Sequence, residues 1–129
     1  KGIVYPGSTL PANLISNSTV NIWVAPVNAS NSIAWQNSFS SGSYCPSGWR
    51  IPSVADYNNI QEHWDWDADH GSNRNILYTG NAQVTVAFPG DFWSSEPGSL
   101  GLGIHTTGGK YGLWTLGQGN RPIRCIRNK

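Results

Sequence analysis

Three groups of side chains in this 129-residue chain could do chemistry. The first is Asp65-x-Asp67-x-Asp69, followed by His70 and Gly71. Alternating carboxylates supply the hard oxygen donors that Ca²⁺ takes, and acids at a helix end oppose its dipole unless a cation offsets them. The spacing departs from a calcium loop, because the glycine falls one place late and Ile76 stands where a bidentate Glu would close the site. Asp65, Asp67 and Asp69 are thus weak metal candidates, against a plainer reading as a solvated helix end. The second group is Cys45 and Cys125, the two cysteines. Without C-x-x-C spacing or a neighbouring His they do not form a metal site, which leaves one bridge or two buried thiols. The third is the glycine-rich polar segment from Glu96 to Arg121, with His105, Thr106, Lys110, Tyr111, Trp114, Gln118 and Asn120. Rings among small polar residues suit sugars or protein epitopes, since a ring stacks while amides and hydroxyls give directional hydrogen bonds. Trp114 reads equally well as a core strand residue. Nucleophilic catalysis finds no support, because His63, His70 and His105 fall in separate segments with no triad spacing.

Composition limits what could position these groups. Hydrophobic residues make up 38% and aromatics 12%, enough for one core, while charged residues reach only 12%. That balance is the opposite of a disordered chain. A net charge of +1 leaves no electrostatic footprint for nucleic acid or an anionic membrane. No run approaches the ~18 apolar residues of a spanning helix, so no membrane insertion of this domain is expected. Fifteen glycines and eight prolines, with many Ser and Asn, are turn and strand-boundary chemistry and exclude a helix bundle. The Ser/Asn/Trp-rich, charge-poor composition resembles that of exported proteins, where a disulfide persists. The chain begins at Lys1 and holds no methionine, which reads as a trimmed or processed fragment, so the absence of a leader or anchor proves nothing.

The elements follow an α+β order. Residues 1–18 read as an extended lead-in with at most a short strand at Ile3–Tyr5. Val20, Ile22 and Val24 alternate, predicting a strand over Thr19–Val24, and Asn28–Tyr44 reads mostly as loop, with Ile33-Ala34-Trp35 dipping into the core. Ser53–Trp64 is predicted as a helix: Ser53 is an N-cap, Asp56 completes a capping-box variant, and Val54, Tyr57, Ile60 and Trp64 share one face. Asn75–Tyr78 is a short apolar run, the alternation of Val84, Val86 and Phe88 gives a strand, and Phe92–Ser95 gives another. Ser99–Gly109 reads as a long loop or weak hairpin, before strands at Tyr111–Leu116 and Pro122–Arg127. No internal repeat or linker divides the chain, so 1–129 is read as one domain.

Cys45-Pro46-Ser47-Gly48-Trp49-Arg50-Ile51-Pro52-Ser53 resembles the C-P-x-G-W-R-[LIV]-P-[TS] signature of the Fibrobacter succinogenes major paralogous domain family. Phe92-Trp93-Ser94-Ser95 resembles its [YF]-W-S-S strand, and Ile123-Arg124-Cys125-Ile126-Arg127 its terminal [VI]-R-C-[VI]-[RK] strand. The resemblance covers Val20 to Lys129 and leaves 1–19 outside. It implies a C-type lectin-like fold: a small twisted antiparallel sheet, one or two helices and long loops that carry function. It also implies that the first signature and the last strand lie close together, which favours a Cys45–Cys125 disulfide. Trp49 and Trp93 are expected in the core, and Arg50 is expected to be structural, paired with an acid such as Asp56.

Sugar-binding C-type lectins hold Ca²⁺ with a Glu-Pro-Asn type triplet and a Trp-Asn-Asp triplet. Here Glu96-Pro97-Gly98 lacks the donor Asn, and Trp114 is followed by Thr115 and Leu116, so no cofactor is expected beyond a weak Ca²⁺ site. Arg50–Tyr57 also resembles a run in formylglycine-generating enzymes, but those need a redox-active cysteine pair. Both cysteines here match structural landmarks, and the chain is read as non-enzymatic. The expectation is an exported, cell-surface, ligand-binding module, adhesive or carbohydrate-binding, whose partner is a glycan or protein on a host or neighbouring cell. The alternatives are a protein-binding domain with a variable loop face of the retroelement-diversified type, and a structural module of a larger surface protein.

Overall fold

A computed structural model describes residues 3–16, 21–34, 39, 44–61, 76–79, 82–85, 90–96, 102–107, 110–115 and 119–129. It is a small α+β domain of short antiparallel strands and a helix. Strands β1 (Asn13–Ser16), β2 (Asn21–Val24) and β10 (Ile126–Asn128) form one sheet in the order β1-β2-β10. Strand β3 (Ser30–Ala34) pairs with β9 (Asn120–Ile123), and β4 (Ile76–Thr79) with β5 (Ala82–Thr85). Strands β6 (Gly90–Trp93), β7 (Leu102–Thr107) and β8 (Lys110–Thr115) form a meander. Helix α1 spans Val54–Gln61.

The lead-in does more than extend. It contributes strand β1, a bridge between Val4 and Pro11, and two core residues, Tyr5 and Ala12. Tyr5 meets Trp49 edge-on at 4.8 Å, so the first residues pack on the signature segment. The expected loop over Asn28–Tyr44 is likewise corrected: Ser30–Ala34 is strand β3. Its Ser/Asn-rich sequence has little strand propensity, and cross-strand pairing with β9 overrides it, with a register shift between Ser30 and Ile33. Of the expected Ile33-Ala34-Trp35 dip into the core, Ile33 does pack on it, Ala34 is exposed and Trp35 lies outside the described residues. The predicted strand over Pro122–Arg127 divides into β9 and β10, with Arg124 and Cys125 between them. Ser99–Gly109 contains strand β7, the hairpin alternative.

The core gathers Tyr5, Ala25, Cys45, Trp49, Ile51, Trp93, Ile123 and Cys125. Cys45 and Cys125 form a disulfide across a separation of 80 residues. In the chain-entropy account, closing a loop of that length stabilises the fold by about 4–5 kcal/mol. Among the described residues, no helix is long and apolar enough to cross a membrane.

Candidate functional site

The three recognisable segments meet at one junction. Pro46-Ser47-Gly48-Trp49 closes a turn, with the Trp49 amide donating to the Pro46 carbonyl at 2.9 Å. Gly48 has φ 85°, the left-handed value a type II turn needs at its third residue, which accounts for the glycine of the signature. Arg50 then pairs with Ile126 through two backbone bonds of 2.8 Å, joining the signature to β10. Its Nη2 donates to Asp56 Oδ1 and to Asn128 Oδ1, each at 2.9 Å. The Ser95 amide donates to the Pro52 carbonyl at 2.9 Å, which ties in the segment after β6.

The helix start is a reciprocal cap. The Ser53 amide donates to Asp56 Oδ2 at 2.8 Å, and the Asp56 amide donates to Ser53 Oγ at 3.1 Å. One carboxylate therefore caps α1 and holds Arg50. From the next position, fully buried Tyr57 donates its hydroxyl to the Trp93 carbonyl at 2.9 Å. Trp49 and Trp93 are both buried, and Trp93 Nε1 donates to the Ile33 carbonyl at 2.7 Å. Burial holds the Tyr57 hydroxyl far above its ordinary pKa, with Arg124 opposing that shift.

Arg124 is the structural residue that sequence reading missed. It is only 2% exposed, its Nε donates to Asn28 Oδ1 at 2.8 Å and its Nη1 to the Ala25 carbonyl at 3.1 Å. Its guanidinium also lies 5.7 Å from the centre of the Phe92 ring. Burial lowers its pKa to about 10, and the nearby Tyr57 and Tyr5 work in the opposite direction. The available signal was its place between Ile123 and Cys125, a charge in an otherwise buried run.

The meander is organised differently. Register places Trp93, Gly103 and Trp114 on one rung and Asp91, His105 and Gly112 on the next of the same parity, with Thr107 and Lys110 beyond. The other parity holds Phe92, Ile104 and Leu113, then Gly90, Thr106 and Tyr111, with Leu102 and Thr115 at the far end. Alternation thus gives the sheet one mainly apolar face and one face of Gly, Asp, His, Lys, Thr and Trp. The two faces part company at β6. Phe92 receives Arg124, which interacts with Tyr57 of α1, whereas Trp93 receives Arg121 at 5.1 Å, Phe39 at 6.1 Å and the Ile33 carbonyl.

This arrangement divides the predicted ligand residues. His105, Lys110 and Trp114 share the polar face, and Thr106 and Tyr111 have the opposite parity. Asn120 is exposed on β9, paired with Ala34. Gln118, Asp65, Asp67 and Asp69 lie outside the described residues. Glu96 is half-buried, and its amide donates to Ser94 Oγ at 3.2 Å. Asp91 was missed because the strand was expected to begin at Phe92; alternation through Gly90-Asp91-Phe92-Trp93 would have paired it with Trp93's parity. Among the described residues, no group of three or more His, Cys, Asp or Glu side chains converges as metal ligands would. Fold and site together define a small disulfide-bonded α+β domain with a polar sheet face. Comparison with family models, curated proteins and solved structures finds no match.

Proposed function

We propose that this chain is a non-enzymatic ligand-binding module of an exported surface protein, with the C-type lectin-like fold of the family its signatures resemble. The observation that carries this reading is the meeting of Cys45–Ser53, Phe92–Ser95 and Ile123–Arg127 around one disulfide. Segments far apart in sequence are tied by backbone pairing, a capped helix and a buried hydroxyl. Their side chains are occupied with one another, so they serve as scaffold. In this reading the recognition residues are the polar ones of the segment after Leu102, His105, Thr106, Lys110, Tyr111, Trp114, Gln118 and Asn120. The disulfide is compatible with an extracellular location. The partner is a glycan or protein ligand on a neighbouring cell, and the modest net charge of +1 argues against nucleic acid.

A glycan array probed with the oxidised protein, alongside binding to whole cells before and after protease treatment, tests the reading. Saturable binding to a glycan class or to a protease-sensitive surface protein is the expected result. No binding to either would reduce the chain to a structural module.

A further inference from the structure

We infer that the Trp23–Arg127 face of the β1-β2-β10 sheet is a second binding surface, built on Arg127 and Lys129, for a polysaccharide that bears carboxylates. It is separate from the recognition segment after Leu102, so its failure would leave that reading in place.

Charge is segregated along the chain. All 7 acidic residues fall between Asp56 and Glu96, and outside that interval the charges, with His neutral, are all Lys or Arg. Positions 2–49 carry no charged side chain at all. Arg50, Arg121 and Arg124 are committed to the fold: Arg50 pairs with Asp56, Arg121 lies on the Trp93 ring, and Arg124 is buried against Asn28 and Ala25. Arg127 and Lys129 are not. Both are exposed, and neither makes an ion pair among the described residues.

Register puts these cations on one face. Arg127 pairs with Trp23, and the Lys129 amide donates to the Asn21 carbonyl at 3.0 Å, which carries the same antiparallel register two residues further. Residues directly opposite share a face, so Arg127, Trp23, Lys129 and Asn21 stand together, with Leu14 beyond Trp23. The other parity holds Ile22, Val24 and Ile126, all buried. Trp23 is half-buried and packs on the core, whereas Asn21 is exposed. The Arg127 guanidinium lies beside the Pro46–Trp49 turn: its Cζ and Nε are each 4.0 Å from the point a Cβ on Gly48 would occupy. Ser47, the exposed neighbour of Gly48, brings a hydroxyl to the same turn.

This pattern selects the partner. A guanidinium fork matches a planar carboxylate through two parallel hydrogen bonds. Two cations two residues apart on a strand stand about 7 Å from one another. Duplex DNA is far denser, with one charge per ~1.7 Å, and anionic lipid surfaces likewise call for clustered basic residues. Around Arg127 and Lys129 the surface is uncharged and polar, with Ser47 and Asn21. That suits a chain whose carboxylates are separated by neutral hydroxyls, as in a polyuronate.

The test is biolayer interferometry of the oxidised protein on immobilised polygalacturonate, dextran and duplex DNA at low salt. Binding to polygalacturonate is expected, with weaker binding to DNA and none to dextran, and added NaCl should abolish it. Arg127→Gln should weaken polygalacturonate binding about tenfold, Lys129→Gln about threefold, and the double variant more than either. Arg127→Lys, which keeps the charge and loses the fork, should fall between the parent and Arg127→Gln. Both residues are exposed, so thermal melts of these variants should match the parent. Unchanged binding in the double variant, or equal binding to dextran, would overturn the surface. Tighter binding to DNA than to polygalacturonate would overturn the polysaccharide as its partner.

Discussion

The signature junction and the β6–β7–β8 meander solve different physical problems with neighbouring pieces of chain. At the junction nearly every polar group has a specified partner: Asp56 serves Ser53 and Arg50, Tyr57 serves the Trp93 carbonyl, and Arg124 serves Asn28 and Ala25. In the meander what is specified is backbone register: Trp93, Gly103 and Trp114 share one rung and Asp91, His105 and Gly112 another. Specified partners make a region costly to change. Alternation fixes only which residues share a face.

The sharpest way to break this contrast is to cut the junction's covalent link. Cys45→Ser with Cys125→Ser should lower unfolding free energy by about 4–5 kcal/mol in guanidinium melts. A loss below about 1 kcal/mol would mean that the junction does not depend on the bridge. Next, Trp49→Ala should cost about 3–5 kcal/mol, because it removes the partner of Tyr5 from a buried cluster. Asp56→Ala removes the helix cap and an ion pair together, for about 2–3 kcal/mol, while Asp56→Asn, which keeps a capping oxygen, should cost about half as much.

Tyr57→Phe is smaller and carries a pH signature. Near neutral pH it should cost about 1–1.5 kcal/mol for the lost bond to the Trp93 carbonyl. The folded hydroxyl ionises only well above its ordinary 10.0, so its contribution is complete below that pH and is lost as pH rises above it, where the unfolded chain has already given up the proton. Arg124, lowered to about 10, works the other way and is present in both proteins. The gap between parent and Tyr57→Phe should therefore narrow and reverse above pH 10.0 in urea titrations. A gap that stays constant to higher pH would show that the hydroxyl is not buried. Smallest of all, Trp114→Ala should change stability by less than about 1 kcal/mol. A loss equal to that of Trp49→Ala would make the polar face part of the core and erase the contrast.

Much of the junction was legible because its residues are constrained locally. Gly48 answers to a turn, Ser53 and Asp56 to a helix start, and Trp49 and Trp93 to burial, and each of these leaves a residue type in a fixed place. Strand β3 was hidden because Ser30-Asn31-Ser32 owes its conformation to β9, some 90 positions away in the register pair Ser30↔Ile123. Strand β1 was hidden for the same reason, since its pairing with β2 outweighs a weak local pattern. Arg124 broke the rule that charges stay outside, and only the carbonyl, amide and ring brought around it by tertiary structure explain its burial. The candidate ligand residues were legible as a composition, but their division between two faces required the register of β7 and β8.

The Cys45–Cys125 bridge also sets the route that tension takes through the chain. A pull entering at either end reaches Cys45 or Cys125 and crosses at the sulfurs, so the intervening segment carries no load while the bond holds. At about 3.5 Å per residue, the bypass withholds roughly 280 Å of extension. Both the helix and the polar face lie inside the shielded segment, whereas β1, β2, β3 and β10 lie outside it. Under shear, then, β1, β2, β3 and β10 would stretch or peel first, and the β6–β7–β8 sheet would stay unstretched while the bond holds.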